Sequence, residues 1–267
     1  MRKLITLLFA LIILVPLNAQ VKTYLIKGTV INSPNLQLEY NDWETNRSEP
    51  IVIKDGKFEI KGELTGGTFP RTASISIVEG KSRRGNTVIL EPGEITVTFT
   101  GKVASVGGTN ENVKYEYLTQ QLKKLSDAAA SSFYDWQKAY DNKASEKELN
   151  NIWMKSESAK QAYSNETLKI LKANDCFASL TILPRISQYE GAKALEPFIK
   201  MFEKYSYTNT YQYLKKHYDA MTRCTDGAPV KNFILPAPDG KMVSLEDFRG
   251  KWVLLDFWYV DCPWCRK

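Results

Sequence analysis

Alternating apolar and polar positions characterise the chain from residue 20 to residue 108. The period-two segments cover 23–30, 51–53, 57–60, 74–78 and 95–99. Asp55-Gly56 separates two of these segments and predicts a tight hairpin turn, and Pro92-Gly93 predicts another turn. We therefore expect residues 20–108 to form a small antiparallel β-sandwich or barrel.

After Gly107-Gly108 the apolar positions recur every three or four residues, which is typical of helices. The first series is Leu118, Leu122, Leu125, Ala129, Phe133, Trp136 and Tyr140, and the second is Leu149, Ile152, Ala159, Tyr163 and Ile170. Ser145 and Glu148 have capping-box spacing and predict the start of the second helix. Residues 109–222 are expected to form an antiparallel helical hairpin, followed by shorter helices punctuated by Gly191 and Pro197.

The pattern changes again in residues 223–267. Pro238-Asp239-Gly240 between short apolar segments predicts a hairpin, and the apolar run from Trp252 to Trp258 is typical of a strand buried on both faces. Such a strand needs neighbours on both sides, which the nine residues after Trp258 cannot supply. The expectation is a multi-domain protein whose last domain is incomplete in this chain.

The first nineteen residues have the features of a secretory signal peptide. Arg2 and Lys3 precede an apolar run from Leu4 to Leu17, and Ala19 offers a cleavage point. This run is shorter than the ~20 residues that a membrane-spanning helix needs. We expect an exported protein, cleaved near Ala19, that contacts a membrane only through this leader. Its cysteines then lie in an oxidising compartment.

The composition is that of an ordinary globular protein, with 43% hydrophobic and 25% charged residues. The formal net charge is +6, but the basic residues are interspersed with acidic ones. This charge pattern argues against nucleic-acid binding.

Cys262-Pro263-Trp264-Cys265 is the motif that points to chemistry, because it follows the predicted strand and stands at the expected start of a helix. A helix N-terminus favours a thiolate over a thiol. Two intervening residues keep both sulfurs within one helical turn, so one can attack a disulfide and the other can resolve the mixed disulfide. Cys262 is the candidate nucleophile and Cys265 the candidate resolving thiol.

Two other readings of this motif are weaker. A zinc site needs further ligands, but the chain has no second pair of this kind, and its one histidine, His217, is far away in sequence and better suited to packing than to catalysis. A peroxidatic cysteine would follow a Pro-x-x-x-Thr-x-x-Cys pattern, whereas Leu255 and Tyr259 occupy the Pro and Thr places. No metal or cofactor is expected.

Val253-Leu254-Leu255-Asp256-Phe257-Trp258, three further residues and the Cys-x-x-Cys pair together resemble the active-site strand and turn of thioredoxin. The resemblance implies that Asp256 is a buried acid that relays a proton to and from Cys265. It also implies that Trp258 packs beneath the site. Pro263-Trp264 differs from the more usual Gly-Pro, which affects redox potential and substrate preference.

The stretch from Gly227 to Lys251 resembles the start of the TlpA and ResA type of envelope thioredoxins. The resemblance implies a periplasmic thiol-disulfide oxidoreductase whose partners are exported disulfide-containing proteins and an upstream membrane thiol reductant. Activity is expected to require the missing C-terminal part. The β-rich head resembles an uncharacterised domain that precedes such thioredoxins in Bacteroidota envelope proteins.

Other features of the sequence leave alternatives open. Cys176 and Cys224 form a structural disulfide, remain free thiols or act as a relay. A tyrosine-rich stretch over residues 205–218 serves packing or a partner surface. The competing function for the whole chain is a non-catalytic envelope binding or scaffold module.

Overall fold

A computed structural model describes residues 21–65, 69–187, 190–224 and 226–258. The leader and the Cys-x-x-Cys motif lie outside these residues. The chain divides into two compact units, with the boundary between Asp219 and Ala220. The first unit contains the β-rich head and nearly all of the helical region, and the second contains the C-terminal segment.

In residues 21–65 and 69–108, the parts of the head that the structure describes, there are eight strands. They are β1 (Lys22–Ile31), β2 (Leu38–Asp42), β3 (Arg47–Ile51), β4 (Lys57–Leu64), β5 (Arg71–Glu79), β6 (Ser82–Leu90), β7 (Gly93–Thr100) and β8 (Val103–Gly107). One sheet has the order β4-β1-β7-β8 and the other β3-β2-β5-β6. The β-rich prediction is confirmed, but the sheets are not wholly antiparallel, because β1 and β7 pair in parallel.

The two sheets face each other across a shared core. The hydroxyl groups of Tyr24 on β1 and Tyr40 on β2 are 2.8 Å apart and join the sheets through a buried hydrogen bond. Alternate residues of β1, β2, β4 and β7 are buried, as in a half-buried sheet, whereas β5 and β6 each contain a run of consecutive buried residues. Ile26 and Ile95 from one sheet and Ile75 from the other are fully buried.

Asp55-Gly56 forms the predicted tight turn, with positive φ angles of 50° and 71°. The backbone groups of Lys54 and Lys57 exchange hydrogen bonds of 2.8 and 2.9 Å. The pairing predicted between segments 51–54 and 57–60 does not extend beyond this turn, because β3 ends at Ile51 and pairs with β2, whereas β4 pairs with β1. The turn carries the chain from one sheet to the other instead of closing a ladder.

In the β1–β4 pair, each strand places one glycine directly opposite an aromatic residue of the other strand. Gly28 is the register partner of Phe58, and Gly62 is the register partner of Tyr24. A Cβ atom at Gly28 would lie 1.9 Å from the Phe58 ring, and one at Gly62 would lie 2.2 Å from the Tyr24 hydroxyl. Each ring therefore covers the glycine opposite it, and neither position accepts a side chain without displacing that ring.

The helical region contains α1 (Asn110–Asp141), α2 (Glu146–Lys172), α3 (Phe177–Ile182), α4 (Pro184–Ser187), α5 (Ala192–Met201) and α6 (Asn209–Arg223). α1 and α2 form the predicted hairpin. The Ser145 side chain caps α2 by accepting a hydrogen bond from the Glu148 N–H. Gly191 precedes α5 as predicted, but Pro197 lies inside this helix instead of separating two elements.

The buried face of α2 differs from the predicted apolar series. Its buried residues are Ser156, Ser164, Thr167 and Leu171. The members of the predicted series, such as Ile152 and Tyr163, are only half-buried. Small polar side chains thus occupy the central positions, because they let neighbouring helices approach closely while larger side chains flank the contact.

The N-terminus of α1 is anchored to the edge of the sandwich by Asn112, which is fully buried. Its side-chain oxygen accepts a hydrogen bond from the Ile89 N–H at 2.9 Å, and its amide donates to the Ile89 carbonyl at 2.7 Å. Asn112 therefore satisfies the outward backbone groups of β6 as a neighbouring strand would do. Glu111 extends the anchor by accepting a hydrogen bond from the Ala178 N–H at the start of α3.

A buried ion pair joins two strands of the second sheet. Arg71 on β5 donates to Asp42 on β2 at 2.9 Å, and both side chains are less than 5% exposed. Beyond this pair, the Glu44 carboxylate accepts a hydrogen bond from the Asn209 N–H at the start of α6. Burial raises the pKa of Glu44 above its ordinary value. The hydrogen bond between Glu44 and Asn209 ties the head to the helical region.

The second unit contains a short hairpin of β9 (Ile234–Pro236) and β10 (Met242–Ser244), followed by a helical turn over Leu245–Phe248. The prediction of a buried strand from Trp252 to Trp258 is wrong, because this segment has no regular secondary structure and every residue in it is exposed. A central strand is buried only when other strands pair with it. No strand among the described residues pairs with this segment.

Candidate functional site

Cys262 and Cys265 lie outside the described residues, so the structure shows the segment that leads to them and not their own geometry. This segment runs from residue 226 to residue 258. The predicted roles of nucleophile and resolving thiol stay predictions.

The hairpin predicted around Pro238-Asp239-Gly240 is confirmed. Ala237 donates its N–H to the Lys241 carbonyl at 2.7 Å, and Gly240 adopts a positive φ of 81°. The Asp239 carboxylate accepts a hydrogen bond from the Lys241 N–H at 3.0 Å and forms an ion pair with the Lys241 ammonium. These contacts lower the pKa of Asp239, and the hydrogen bond from the Lys241 backbone N–H contributes most to this shift.

A capping box holds the turn after β10. The Ser244 side chain accepts a hydrogen bond from the Glu246 N–H, and the Asp247 carboxylate accepts one from the Ser244 N–H at 2.8 Å. Asn232 adds a third contact, because its side-chain oxygen accepts from the Ser244 hydroxyl at 3.0 Å. The sequence analysis missed this arrangement, although the Ser-x-x-Asp spacing of 244 and 247 signals it.

The chain leaves this turn through Arg249 and Gly250. Arg249 forms an ion pair with Glu246 at 2.8 Å, and Gly250 has a positive φ of 84°, which glycine adopts without strain. The Lys251 N–H donates to the Phe248 carbonyl at 3.0 Å. Local hydrogen bonds therefore fix the direction of the chain as far as residue 251.

Asp256 and Trp258 lie in the exposed segment beyond that point. The resemblance to thioredoxin implies burial for Asp256, but its side chain is exposed, and Trp258 is 62% exposed. The structure therefore does not place Asp256 in the low-dielectric setting that a selective proton relay needs. Its catalytic role stays a prediction from the resemblance.

The other two cysteines are free thiols. Of the three alternatives that the sequence left open for Cys176 and Cys224, the structure has the free thiols and not the disulfide. Cys176 is buried, with its sulfur 3.4 Å from the Ser179 hydroxyl, while Cys224 is exposed. Among the described residues, no group of three His, Cys, Asp or Glu side chains could hold a metal ion.

His217 and part of the tyrosine-rich stretch contribute to packing, which is one of the two roles that the sequence left open for this stretch. A ring nitrogen of His217 lies 3.1 Å from the Ser187 carbonyl oxygen. Tyr207 donates to the Phe69 carbonyl at 2.7 Å, and Tyr211 donates to the Ile199 carbonyl at 3.2 Å. Burial raises the pKa of both tyrosines. Tyr213 differs from them, because it is 60% exposed.

Comparison with known families finds similarity in two separate parts of the chain. Residues 24–115, which contain the β-sandwich and the start of α1, match a domain of unknown function, DUF4369. Residues 227–267 match the AhpC/TSA family, and the match includes both Cys262 and Cys265. The C-terminal segment is thus similar to thioredoxin-like proteins.

One curated relative sharpens this class. The chain is 40% identical over 43 residues to the thiol-disulfide oxidoreductase ResA of Bacillus subtilis (strain 168), and the match covers 16% of this chain and 24% of ResA. Together with the family match, it supports a thioredoxin-like relationship of the TlpA/ResA type. No solved structure gives a significant match. Among the described helices, none is long and apolar enough to span a membrane.

Proposed function

We propose that this protein is an exported thiol-disulfide oxidoreductase that exchanges disulfides with other exported proteins through Cys262 and Cys265. The observation that supports the proposal is the similarity of residues 227–267 to thioredoxin-like proteins, a range that includes both cysteines. Cys-x-x-Cys pairs in this context undergo reversible dithiol-disulfide chemistry.

In the reductive direction, the Cys262 thiolate attacks one sulfur of a substrate disulfide, and a mixed disulfide forms as one substrate thiolate leaves. The Cys265 thiolate then attacks the Cys262 sulfur and releases the second substrate thiolate. Two electrons pass to the substrate, whose thiolates take up two protons, and Cys262 and Cys265 end as a disulfide. A membrane thiol reductant returns the pair to the dithiol form.

Asp256 is proposed to relay the proton of Cys265. An exposed carboxylate exchanges protons with water as readily as with a neighbouring thiol, so the relay requires that residues 252–258 become covered. Binding of a substrate protein over the exposed apolar side chains of this segment would supply that cover.

Insulin reduction driven by dithiothreitol tests the exchange reaction, measured on the chain as given and on a chain extended by the downstream reading frame, and the variants below are made in the form that shows activity. The Cys262→Ser variant is expected to fall to the uncatalysed rate, and Cys265→Ser is expected to accumulate a mixed disulfide that non-reducing electrophoresis detects. Cys224→Ser is the matched control, because Cys224 is exposed and belongs to the same unit. Unchanged turnover in Cys262→Ser would contradict the proposal.

Export is proposed from the leader. Expression of the full chain in a bacterial host with an outer membrane, followed by mass spectrometry, is expected to yield a periplasmic protein that begins at Gln20. A charged residue in place of Leu8 interrupts the apolar run and should leave the uncleaved chain in the cytoplasm. Cleavage elsewhere would correct the boundary, and retention of the unaltered chain in the cytoplasm would contradict export.

A second candidate function is a non-catalytic binding module, which the completeness of the first unit favours. Its sandwich, helical hairpin and anchoring contacts form one compact unit that does not require the C-terminal segment for its core. A variant that carries both Cys262→Ser and Cys265→Ser separates the two functions. Disulfide exchange is lost in this variant because both sulfurs are removed, whereas a binding function does not need them and is retained.

A further inference from the structure

A cavity lies between α1, α2 and α4 in the helical region, with a volume of about 330 Å³. Its lining residues are Ser126, Ala129, Ala130, Phe133, Lys160, Tyr163 and Arg185. The volume lies at the lower end of the range for small-molecule sites, which are mostly apolar with a few polar groups. Two alanines and two aromatic rings supply the apolar wall here.

The charged side chains of the lining are both cations, and none of the seven lining residues is acidic. Cations beside a partly enclosed apolar wall attract an anion more than cations on an open surface do, because the wall reduces the screening by water. The lining therefore combines a surface for an apolar group with positive charge for an anionic group.

Arg185 is held in place without losing its charge. Its guanidinium donates a hydrogen bond to the Tyr115 hydroxyl and lies over the Tyr115 ring, 5.5 Å from the centroid. Among the described residues, no carboxylate forms an ion pair with it. A guanidinium has five N–H donors, so it keeps donors for an anion after bonding to Tyr115.

Lys160 is also positioned by its neighbours. Its ammonium lies 4.8 Å from the centroid of the Trp153 ring and 5.7 Å from that of the Phe133 ring. It forms an ion pair with Glu157 at 2.8 Å, and Glu157 is half-exposed. An ammonium group has three donors, so this pair leaves capacity for a ligand.

From this lining we infer that the cavity binds a small amphipathic carboxylate, an acyl chain or aromatic ring that carries one carboxylate group. The carboxylate accepts hydrogen bonds from Arg185 and Lys160, and the apolar part lies against Ala129, Ala130 and Phe133. This site is separate from the disulfide-exchange function and does not depend on it.

Calorimetric titration of the full chain with decanoate tests the inference, and decanol serves as the uncharged probe. Decanoate is expected to bind at least about tenfold more tightly than decanol, because charged hydrogen bonds contribute that much. Arg185→Gln and Lys160→Gln should each lower the affinity for decanoate by about tenfold and leave the affinity for decanol unchanged. Lys138→Gln, on α1 outside the lining, is the matched control and should bind decanoate as the unaltered chain does.

Ala130→Trp provides an independent variant, since Ala130 lies at the exposed edge of the lining and a large side chain there blocks the cavity without removing charge. It should abolish binding of both probes, while far-UV circular dichroism confirms that the helices remain. Trp153 lies next to Lys160, so its fluorescence should also change on titration with decanoate. Equal affinity for decanoate and decanol, no binding of decanoate, or unchanged binding in Ala130→Trp would each overturn the inference.

Discussion

The two units of this protein differ in how far their large apolar side chains are buried. In the first unit, large side chains such as Tyr40, Phe99 and Phe202 are fully buried, and each strand of the sandwich has a hydrogen-bonded neighbour. In the second, Leu254 is 95% and Phe257 88% exposed, although the run from Trp252 to Trp258 is the most continuous apolar segment after the leader.

This difference shows that an apolar run is buried only where other elements of the chain pack against it. The head strands mix apolar residues with polar and charged ones, yet their inward-facing side chains are buried because pairing strands and a facing sheet are present. The segment over 252–258 has the stronger pattern and lacks such partners among the described residues. Burial thus depends on what the rest of the chain supplies.

The largest expected effect comes from replacing one phenylalanine in each unit. Phe202→Ala should destabilise the protein by about 3–5 kcal/mol, because it opens a cavity in a closed core. Phe257→Ala should change stability by less than about 0.5 kcal/mol, because its ring is already exposed. Urea unfolding followed by circular dichroism measures both. A large loss in Phe257→Ala would show that residues 252–258 are covered in solution and break the comparison.

The buried pair of Arg71 and Asp42 tests how completely the first unit excludes water. Asp42→Ala should cost about 3–5 kcal/mol, because the Arg71 charge stays buried without its partner. Glu79→Ala removes the exposed pair of Glu79 and Lys102 and should cost about 0–1 kcal/mol. Urea unfolding compares the two variants, and equal losses would mean that water reaches Arg71.

Alkaline pH provides a smaller and more local test of the contact between the sheets. Burial, followed by the hydrogen bond to Tyr24, raises the pKa of Tyr40 above its ordinary value of 10. Below pH 10 both the folded and the unfolded chain keep this proton. Above pH 10 only the unfolded chain loses it, so stability should fall by up to about 1.4 kcal/mol per pH unit for this residue.

Urea unfolding at pH 9 and pH 11 measures this loss. Tyr40→Phe should reduce the difference between the two pH values, because it removes the titrating group. Tyr134→Phe, at an exposed position on α1, should leave the difference unchanged. An identical pH dependence in Tyr40→Phe and the unaltered chain would show that the Tyr40 hydroxyl is accessible to water.

Residue patterns predicted the elements with strong periodicity and missed those whose burial depends on tertiary contacts. β1, β7 and the first half of α1 followed their apolar spacing, and α2 formed in the predicted place with a different buried face. β6 was missed because Arg83, Arg84 and Asn86 interrupt the alternation at a sheet edge, where exposed polar residues are tolerated. The small polar face of α2 was missed because no apolar pattern signals it.

At the candidate site, residue patterns predicted the hairpin at Pro238-Asp239-Gly240, since turn chemistry is local. They failed for the strand containing Asp256, because pairing partners cannot be inferred from the strand alone. The helical cavity also escaped sequence analysis. Arg185 and Lys160 are distant in the chain, and only the packing of three helices brings them to one lining.

The amide of Asn112 has a consequence for self-association. β6 is an edge strand, and the unpaired backbone groups of an edge strand can form hydrogen bonds with a strand of another molecule, which then extends the sheet. At Ile89 a new strand cannot pair with the sheet, because the Asn112 side chain from α1 already forms hydrogen bonds with the N–H and the carbonyl of Ile89. Fibril-like growth from this end of the sandwich would first have to detach the long helix.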